Sequence, residues 1–192
     1  MRDHRPVLFV PDEFLGRNTL LALGIDPDPP VFDPTLPDGG VPSSRLESAP
    51  VVLWKGYCHV HTHFTVTMVA NARATHHGCR IVVHPECDPT VVQAADGSGS
   101  TEYLVREAKA TPLGSTIVIG TEINLVNRLA REYPDRSVLP LARSLCPNMY
   151  RITLAKVLQT IETPRPEQEV DVPLDTQADA RRALITMLSI GA

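Results

Sequence analysis

Cys79-Arg80-Ile81-Val82-Val83-His84-Pro85-Glu86-Cys87 is the stretch on which the reading of this 192-residue chain turns. The β-branched run predicts a buried strand from Cys79 to Val83, and Pro85 stops it just as a polar cluster begins. The layout recurs on both sides. Val51-Val52-Leu53-Trp54 predicts a strand that runs into Lys55-Gly56-Tyr57-Cys58-His59-Val60-His61-Thr62-His63. Ser115 to Ile119 predicts another, followed by Gly120-Thr121-Glu122. Helical spacing fills the intervals: Phe14 to Leu23 closed by Gly24, Phe64 to Thr75, Pro89 to Ala95, a helix from near Glu102, and Ile123 to Tyr133. Strands alternating with helices in this way predict an α/β fold of parallel-sheet, three-layer units. Open parallel sheets bind ligands beyond the carboxyl ends of their strands. Polar clusters recurring at that position therefore predict one shared site.

The flanks are less regular. Val7 to Val10 predicts a further buried strand. Asp26 to Pro50 holds seven Pro and the Gly39-Gly40 pair and predicts a loop or insertion. A fourth cluster, Cys146-Pro147-Asn148-Met149, is expected between helical segments. Arg151 to Ile161 predicts a helix, and Pro164 to Pro173 a linker. Asp175 is placed to cap a last helix reaching about Leu188.

Net charge is −4 and no Lys/Arg block occurs, which argues against nucleic acid as a partner. The apolar run near the N-terminus has four residues, too short for a signal-peptide core or a membrane span. These features predict a cytoplasmic chain with no membrane partner. Four Cys in 192 residues do not make a disulfide framework, and in a reducing compartment motif cysteines bind metal or do chemistry.

Cys58, His59, His61 and His63 are of the types that ligate zinc, and thiolate also holds iron–sulfur clusters. If the segment is extended, Cys58 faces away from the three histidines. His61 and His63 then share a face, as paired histidines do in metal-dependent hydrolases; either could equally satisfy backbone groups at a strand end. His84 and Glu86 share one side of an extended segment and suit proton transfer or a polar substrate. His84-Pro85-Glu86 also meets half of the zinc deaminase signature, but the Pro-Cys-x-x-Cys half is absent. Cys79 and Cys87 read as buried free thiols. Asp96-Gly97-Ser98-Gly99-Ser100-Thr101 leads into a helix, whose unpaired first N–H groups suit a carboxylate or phosphate; the plain alternative is an N-cap by Ser100 or Thr101.

Taken together, these strings resemble the quinolinate synthase family. The matching elements are Phe9-Val10-Pro11-Asp12 with Leu15-Gly16-Arg17, Trp54-x-Gly56-x-Cys58-x-Val60-His61-x-x-Phe64, His84-Pro85-Glu86-Cys87, Ala95-Asp96 with Gly99-Ser100-Thr101, Gly120-Thr121-Glu122 with Arg128-Leu129, and Cys146 with Met149. They span about residues 6 to 161, in the family's order. The resemblance implies a three-domain α/β protein with pseudo-threefold symmetry and a central [4Fe–4S] cluster held by three Cys. It implies a transferase-like condensation of iminosuccinate with dihydroxyacetone phosphate in NAD biosynthesis. By position, Cys58 and Cys146 become cluster ligands, His84 and Glu86 catalytic groups, and Pro85, Ser100 and Thr101 substrate contacts beside them; Cys87 is not a ligand.

The family's first domain and first cluster Cys have no counterpart here. The expected organisation is an incomplete α/β domain at 1–75 with the insertion at 26–50, an α/β domain at 76–162, and a linker and helix at 163–192. These would correspond to two of the three pseudo-symmetric domains. A truncated or split quinolinate synthase follows, inactive alone, with an N-terminal chain as a possible partner. The alternatives are a metal-dependent hydrolase using His61 and His63, and an inactive remnant acting as an interaction protein that exposes apolar surface.

Overall fold

The computed structural model describes residues 6–25 and 28–190. Two compact units divide the chain, Met1–Cys146 and Pro147–Ala192. The first is α/β and holds two parallel sheets. In one, β3 (Val51–Trp54) is central, between β1 (Val7–Phe9) and β2 (Val31–Phe32). In the other the order is β5 (Gly97–Ser98), β4 (Arg80–Val83), β6 (Thr116–Gly120), β7 (Ser137–Pro140), all parallel.

The second sheet is buried on both faces, which explains its unbroken apolar runs. Ile81 and Val83 of β4 and Val118 of β6 point to one face, where they pack with α3 (Val66–Thr75) and α4 (Pro89–Ala94) through Val69 and Val91. Val82, Ile117 and Ile119 point to the other, with Leu104 and Ala108 of α5 (Thr101–Ala110) and Val126 and Leu129 of α6 (Ile123–Glu132). Alternation along each strand thus sends neighbouring residues to opposite helix layers. The helices start where short polar side chains can bind a free N–H. Thr65, Asp88, Ser100 and Glu122 accept from the first turns of α3, α4, α5 and α6.

The first sheet is barer. β1 is an edge strand, and Val7 and Leu8 are 51% and 55% exposed, so the expectation of a buried strand fails there. Burial needs a covering layer, and α1 (Glu13–Leu23) covers only part of this sheet. Gly16 of α1 lies against Leu53 and Phe9 with no space for a Cβ. Asp12 caps α1, and Gly24 ends it in the left-handed conformation.

Residues 28–50 are not a plain loop. They contain β2, a 3-10 turn at Pro37–Gly40 and α2 (Ser43–Ser48); Asp26 and Pro27 lie outside the described residues. β5 and β7 were not expected. Both are edge strands, and β5 is two residues long. Cys146 follows β7 and not a helical stretch.

The second unit holds a 3-10 turn at Met149–Arg151, α7 (Leu154–Glu162), a 3-10 turn at Pro166–Gln168 and α8 (Leu174–Ile190). Thr153 caps α7, whose first residue, Leu154, lies three residues after the expected start at Arg151. Asp175 lies in the first turn of α8 and not before it. Among the described residues no helix is long and apolar enough to cross a membrane.

Candidate functional site

The strand order β5-β4-β6-β7 places a switch point between β4 and β6. The chain leaves β4 toward β5 on one side, then returns to β6 and β7 on the other. Such a point opens a crevice at the carboxyl ends of the two central strands. His84 follows β4 and Thr121 follows β6, with the His84 N–H donating to the Gly120 carbonyl at 3.1 Å. Gly99 and Ser100 follow β5 on the same edge, where the Gly99 N–H donates to the Val83 carbonyl at 3.2 Å.

A third contribution comes from the other sheet. After β3 the chain turns sharply: the His61 and Thr62 N–H groups both donate to the Cys58 carbonyl at 3.0 Å. This corrects the extended reading of residues 58–63. A turn, unlike a strand, brings side chains three apart to one side. The Cys58 Sγ and ligating atoms of His61 and Glu86 all lie within 4.8 Å of one another. His63 is exposed and sets its ring edge against Phe64, so His61 and His63 do not form the expected pair. His84 to Cys87 also turns, with the Cys87 N–H donating to the His84 carbonyl at 3.0 Å. It is across this turn, not along an extended segment, that His84 Nδ1 comes within 3.8 Å of Glu86 Oε2.

His61 is the centre of the group. Its Nδ1 lies 2.8 Å from Glu86 Oε2 and its Nε2 lies 3.2 Å from Thr121 Oγ1. Its ring stacks on that of His84, with centroids 4.3 Å apart and planes 12° from parallel. Burial pushes the His61 imidazole down to about 4. At neutral pH its contact with Glu86 is therefore a hydrogen bond from a neutral ring, with Nδ1–H donating and the Thr121 hydroxyl donating to Nε2. Burial, reinforced by His61, holds His84 at about 4 as well, against the opposing pull of Glu86. The Glu86 N–H donates to His84 Nδ1 at 3.3 Å, so the neutral His84 ring carries its proton on Nε2. Burial likewise raises the Cys58 thiol, with Glu86 adding to the effect.

Two buried polar residues of the α1 segment hold this arrangement. Asp12 accepts from the Leu15 N–H at 2.8 Å through one oxygen and from the Cys58 N–H at 2.9 Å through the other. Asn18 donates to the carbonyls of Pro85 and Cys87 at 2.7 and 2.9 Å, bracketing Glu86. Sequence reasoning gave neither residue a role. The one signal was Asp12 just ahead of the helical spacing, where an N-cap belongs; Asn18, between Arg17 and Thr19, gave none. Gly56 completes the support, because a Cβ there would strike the Pro11 carbonyl.

Of the remaining expected residues, Ser100 and Thr101 open α5 just beyond β5, and Cys146 lies beyond β7. Ser100 Oγ caps α5 through the Tyr103 N–H at 3.3 Å, and Thr101 is exposed as the first residue of that helix. Among the described residues, no hydrogen bond links either to the His61–His84–Glu86 group. Cys146 is half-buried, and two residues before it Ser144 Oγ donates to the Val60 carbonyl at 2.7 Å. The Cys146 segment is thereby tied to the loop that carries Cys58. Cys87 is fully buried in the apolar core, which pushes its thiol up to about 12, and Cys79 is buried as well.

Residues 1–189 match the family of the quinolinate synthetase A protein (NadA). This chain belongs to that family. It is 46% identical over 190 residues to the quinolinate synthase of Corynebacterium glutamicum, covering 96% of this chain and 48% of that protein. The quinolinate synthase of Acidobacterium capsulatum is 44% identical over 192 residues, and that of Geobacillus kaustophilus 42% over 193. Each alignment covers 96% of this chain and 52% of the relative. The chain thus spans about half the length of the curated quinolinate synthases it matches.

The cluster that the resemblance implies can be tested on the donor set. A [4Fe–4S] cluster is held by thiolates, four as a rule and three where one iron stays open. Of the four cysteines, Cys79 and Cys87 are buried in packed core, and only Cys58 and Cys146 are partly accessible. The described residues thus offer two accessible thiolates, fewer than the three or four that hold a cluster. What the structure does assemble is a Cys/His/Glu group able to take a metal ion.

Proposed function

We propose that this chain supplies half of the reaction chamber of a cytoplasmic quinolinate synthase, a transferase-like enzyme of NAD biosynthesis. That enzyme condenses iminosuccinate with dihydroxyacetone phosphate to quinolinate around a [4Fe–4S] cluster. The observation that carries this reading is the convergence of Cys58, His84 and Glu86 on one strand-end crevice, in a chain 46% identical to a quinolinate synthase. Each of the two α/β regions, 1–75 and 76–162, contributes one sheet to it, followed by the linker and helix of 163–192.

His84 and Glu86 are the proton-transferring pair. The condensation loses water and closes an imine, and each step moves a proton at a carbon or oxygen of the substrate. His84 is neutral at pH 7 with Nε2–H as its donor. The Glu86 carboxylate accepts from His61, which fixes its direction. Thr101, Ser100 and the free first N–H groups of α5 bind an anionic group of the substrate, with Pro85 packing beside it. Cys58 and Cys146 donate two of the thiolates that the cluster requires, and no step is assigned to this chain through a complete cluster. The partner is the remainder of the enzyme. The exposed Val7, Leu8 and Val10 of the β1 region are the apolar surface that it would cover.

The test is complementation. The 192-residue chain, loaded anaerobically with iron and sulfide, is expected to form no quinolinate from the two substrates. Adding a chain that carries the unmatched part of the C. glutamicum enzyme is expected to restore product. His84→Ala and Glu86→Gln should each lower the restored rate by 100-fold or more, within the roughly 10²–10⁴-fold range of general acid–base catalysis. Product from the isolated chain would overturn the split-chamber reading, and failure of complementation would overturn the assignment.

A further inference from the structure

We propose that Ser144 is a positioning residue, whose hydroxyl fixes the offset between Cys58 and Cys146. The inference deepens the quinolinate synthase reading and rests on it in taking both thiols as cluster ligands. Its test reads the offset in this chain alone, apart from activity.

Three observations carry it. The first is the separation of the two thiols along the fold. Cys58 follows β3 of one sheet and Cys146 follows β7 of the other, and both are half-buried. No local turn relates them, so their relative position is set by whatever joins the two segments. The second is the joint itself. Ser144 is buried, and its Oγ donates to the Val60 carbonyl at 2.7 Å across 84 residues of sequence. Its own carbonyl accepts from the Ile123 N–H at 2.9 Å. The side chain thus binds the Cys58 loop while the backbone binds the start of α6.

The third is reach. Val60 lies two residues after Cys58, and Ser144 two residues before Cys146. Two residues span at most about 7 Å, so each thiol-bearing residue stays close to the joint. The Cys58 loop is closed on its other side by Asp12, which accepts from the Cys58 N–H at 2.9 Å. A hydroxyl is what position 144 requires. Val60 is buried, and without its donor a buried carbonyl is left unpaired. Ser144→Ala removes that bond and keeps the one from Ile123, so it loosens the two thiol segments from each other without detaching the Cys146 segment from α6.

The experiment treats the reduced 192-residue chain with dibromobimane, which fluoresces only when both of its arms have reacted. A bridge between Cys58 and Cys146, identified by peptide mass spectrometry, is the expected intramolecular product, and Cys58→Ser or Cys146→Ser should each abolish it. Ser144→Ala should slow bridging by about 10-fold, the size set by one buried hydrogen bond left unmade, while iodoacetamide alkylates each thiol at its former rate. Ser144→Thr keeps the donor and should bridge like the parent chain. Thr111→Val removes a bond of the same kind, from Thr111 Oγ1 to the Glu107 carbonyl at 2.8 Å between α5 and β6, and should not alter bridging. The proposal is overturned by no bridge in the parent chain, by an unchanged rate in Ser144→Ala, or by an equal slowing in Thr111→Val. Complementation tests the quinolinate synthase reading separately, so failure of that reading and failure of this joint give different results.

Discussion

The two sheets of the first unit are built from similar strands but live in different surroundings. β4 and β6 are covered by helices on both faces, and Ile81, Val82, Val83, Ile117 and Ile119 have no exposed surface. β1 carries equally apolar residues and leaves Val7 and Leu8 half exposed. The crevice lies where the two meet, with His84 and Thr121 on the rigid sheet and Cys58 and His61 on the barer one. Strand propensity is thus common to both regions, and stability resides where a second layer of helix is present.

Several experiments would break or sharpen that contrast. The largest effect is expected in the covered sheet. Ile119→Ala or Leu104→Ala should cost about 3–4 kcal/mol in urea unfolding, whereas Leu8→Ala in β1 should cost well under about 1 kcal/mol. Equal losses would show that the two sheets share one core. Next comes the clamp between them. Asn18→Ala leaves the carbonyls of Pro85 and Cys87 without their donor and should cost about 2 kcal/mol. Asp12→Ala should cost about 1–2 kcal/mol through loss of the α1 cap, and it should also free the Cys58 loop, read as faster amide exchange at Cys58.

The pH response is smaller per step and has a definite sign. His61 and His84 are held at about 4 in the fold, against about 6.5 in the unfolded chain. Their contribution is complete above about 6.5. As pH falls from there toward 4, the unfolded state takes up protons that the folded state refuses, so stability declines. Each ring adds up to about 1.4 kcal/mol per pH unit to that slope. His61→Gln and His84→Gln should each flatten stability between pH 6.5 and 4; an unchanged slope would show that the rings titrate normally. A small change is also expected at the rim, where Ser100→Ala removes the α5 cap at about 1 kcal/mol.

The contrast also marks what could be read from residue order. β3, β4 and β6 are dense β-branched runs, and α1 and α6 have clear apolar faces and caps, so their places were legible. His84 and Glu86 were legible because they follow a strand that could hardly be anything else. β5 and β7 were not, since Gly97-Ser98 has no strand propensity and Ser137–Pro140 ends in a Pro; register against β4 and β6 defines them. The turn at Cys58 was hidden for a similar reason. Its shape depends on the Asp12 carboxylate, 46 residues away, which no local pattern reports. Asn18 acts at a still greater separation, 67 and 69 residues from its acceptors.

Both remote tethers issue from a single element, the start and first two turns of α1. One rod therefore sets the spacing between thiol and carboxylate, much as a common axle keeps two wheels in line. A shift of that rod, by ligand or by a neighbouring chain, would move Cys58 and Glu86 together and keep their mutual alignment while displacing them from Thr121. Site geometry in this protein is governed from a helix that contributes no reactive group of its own.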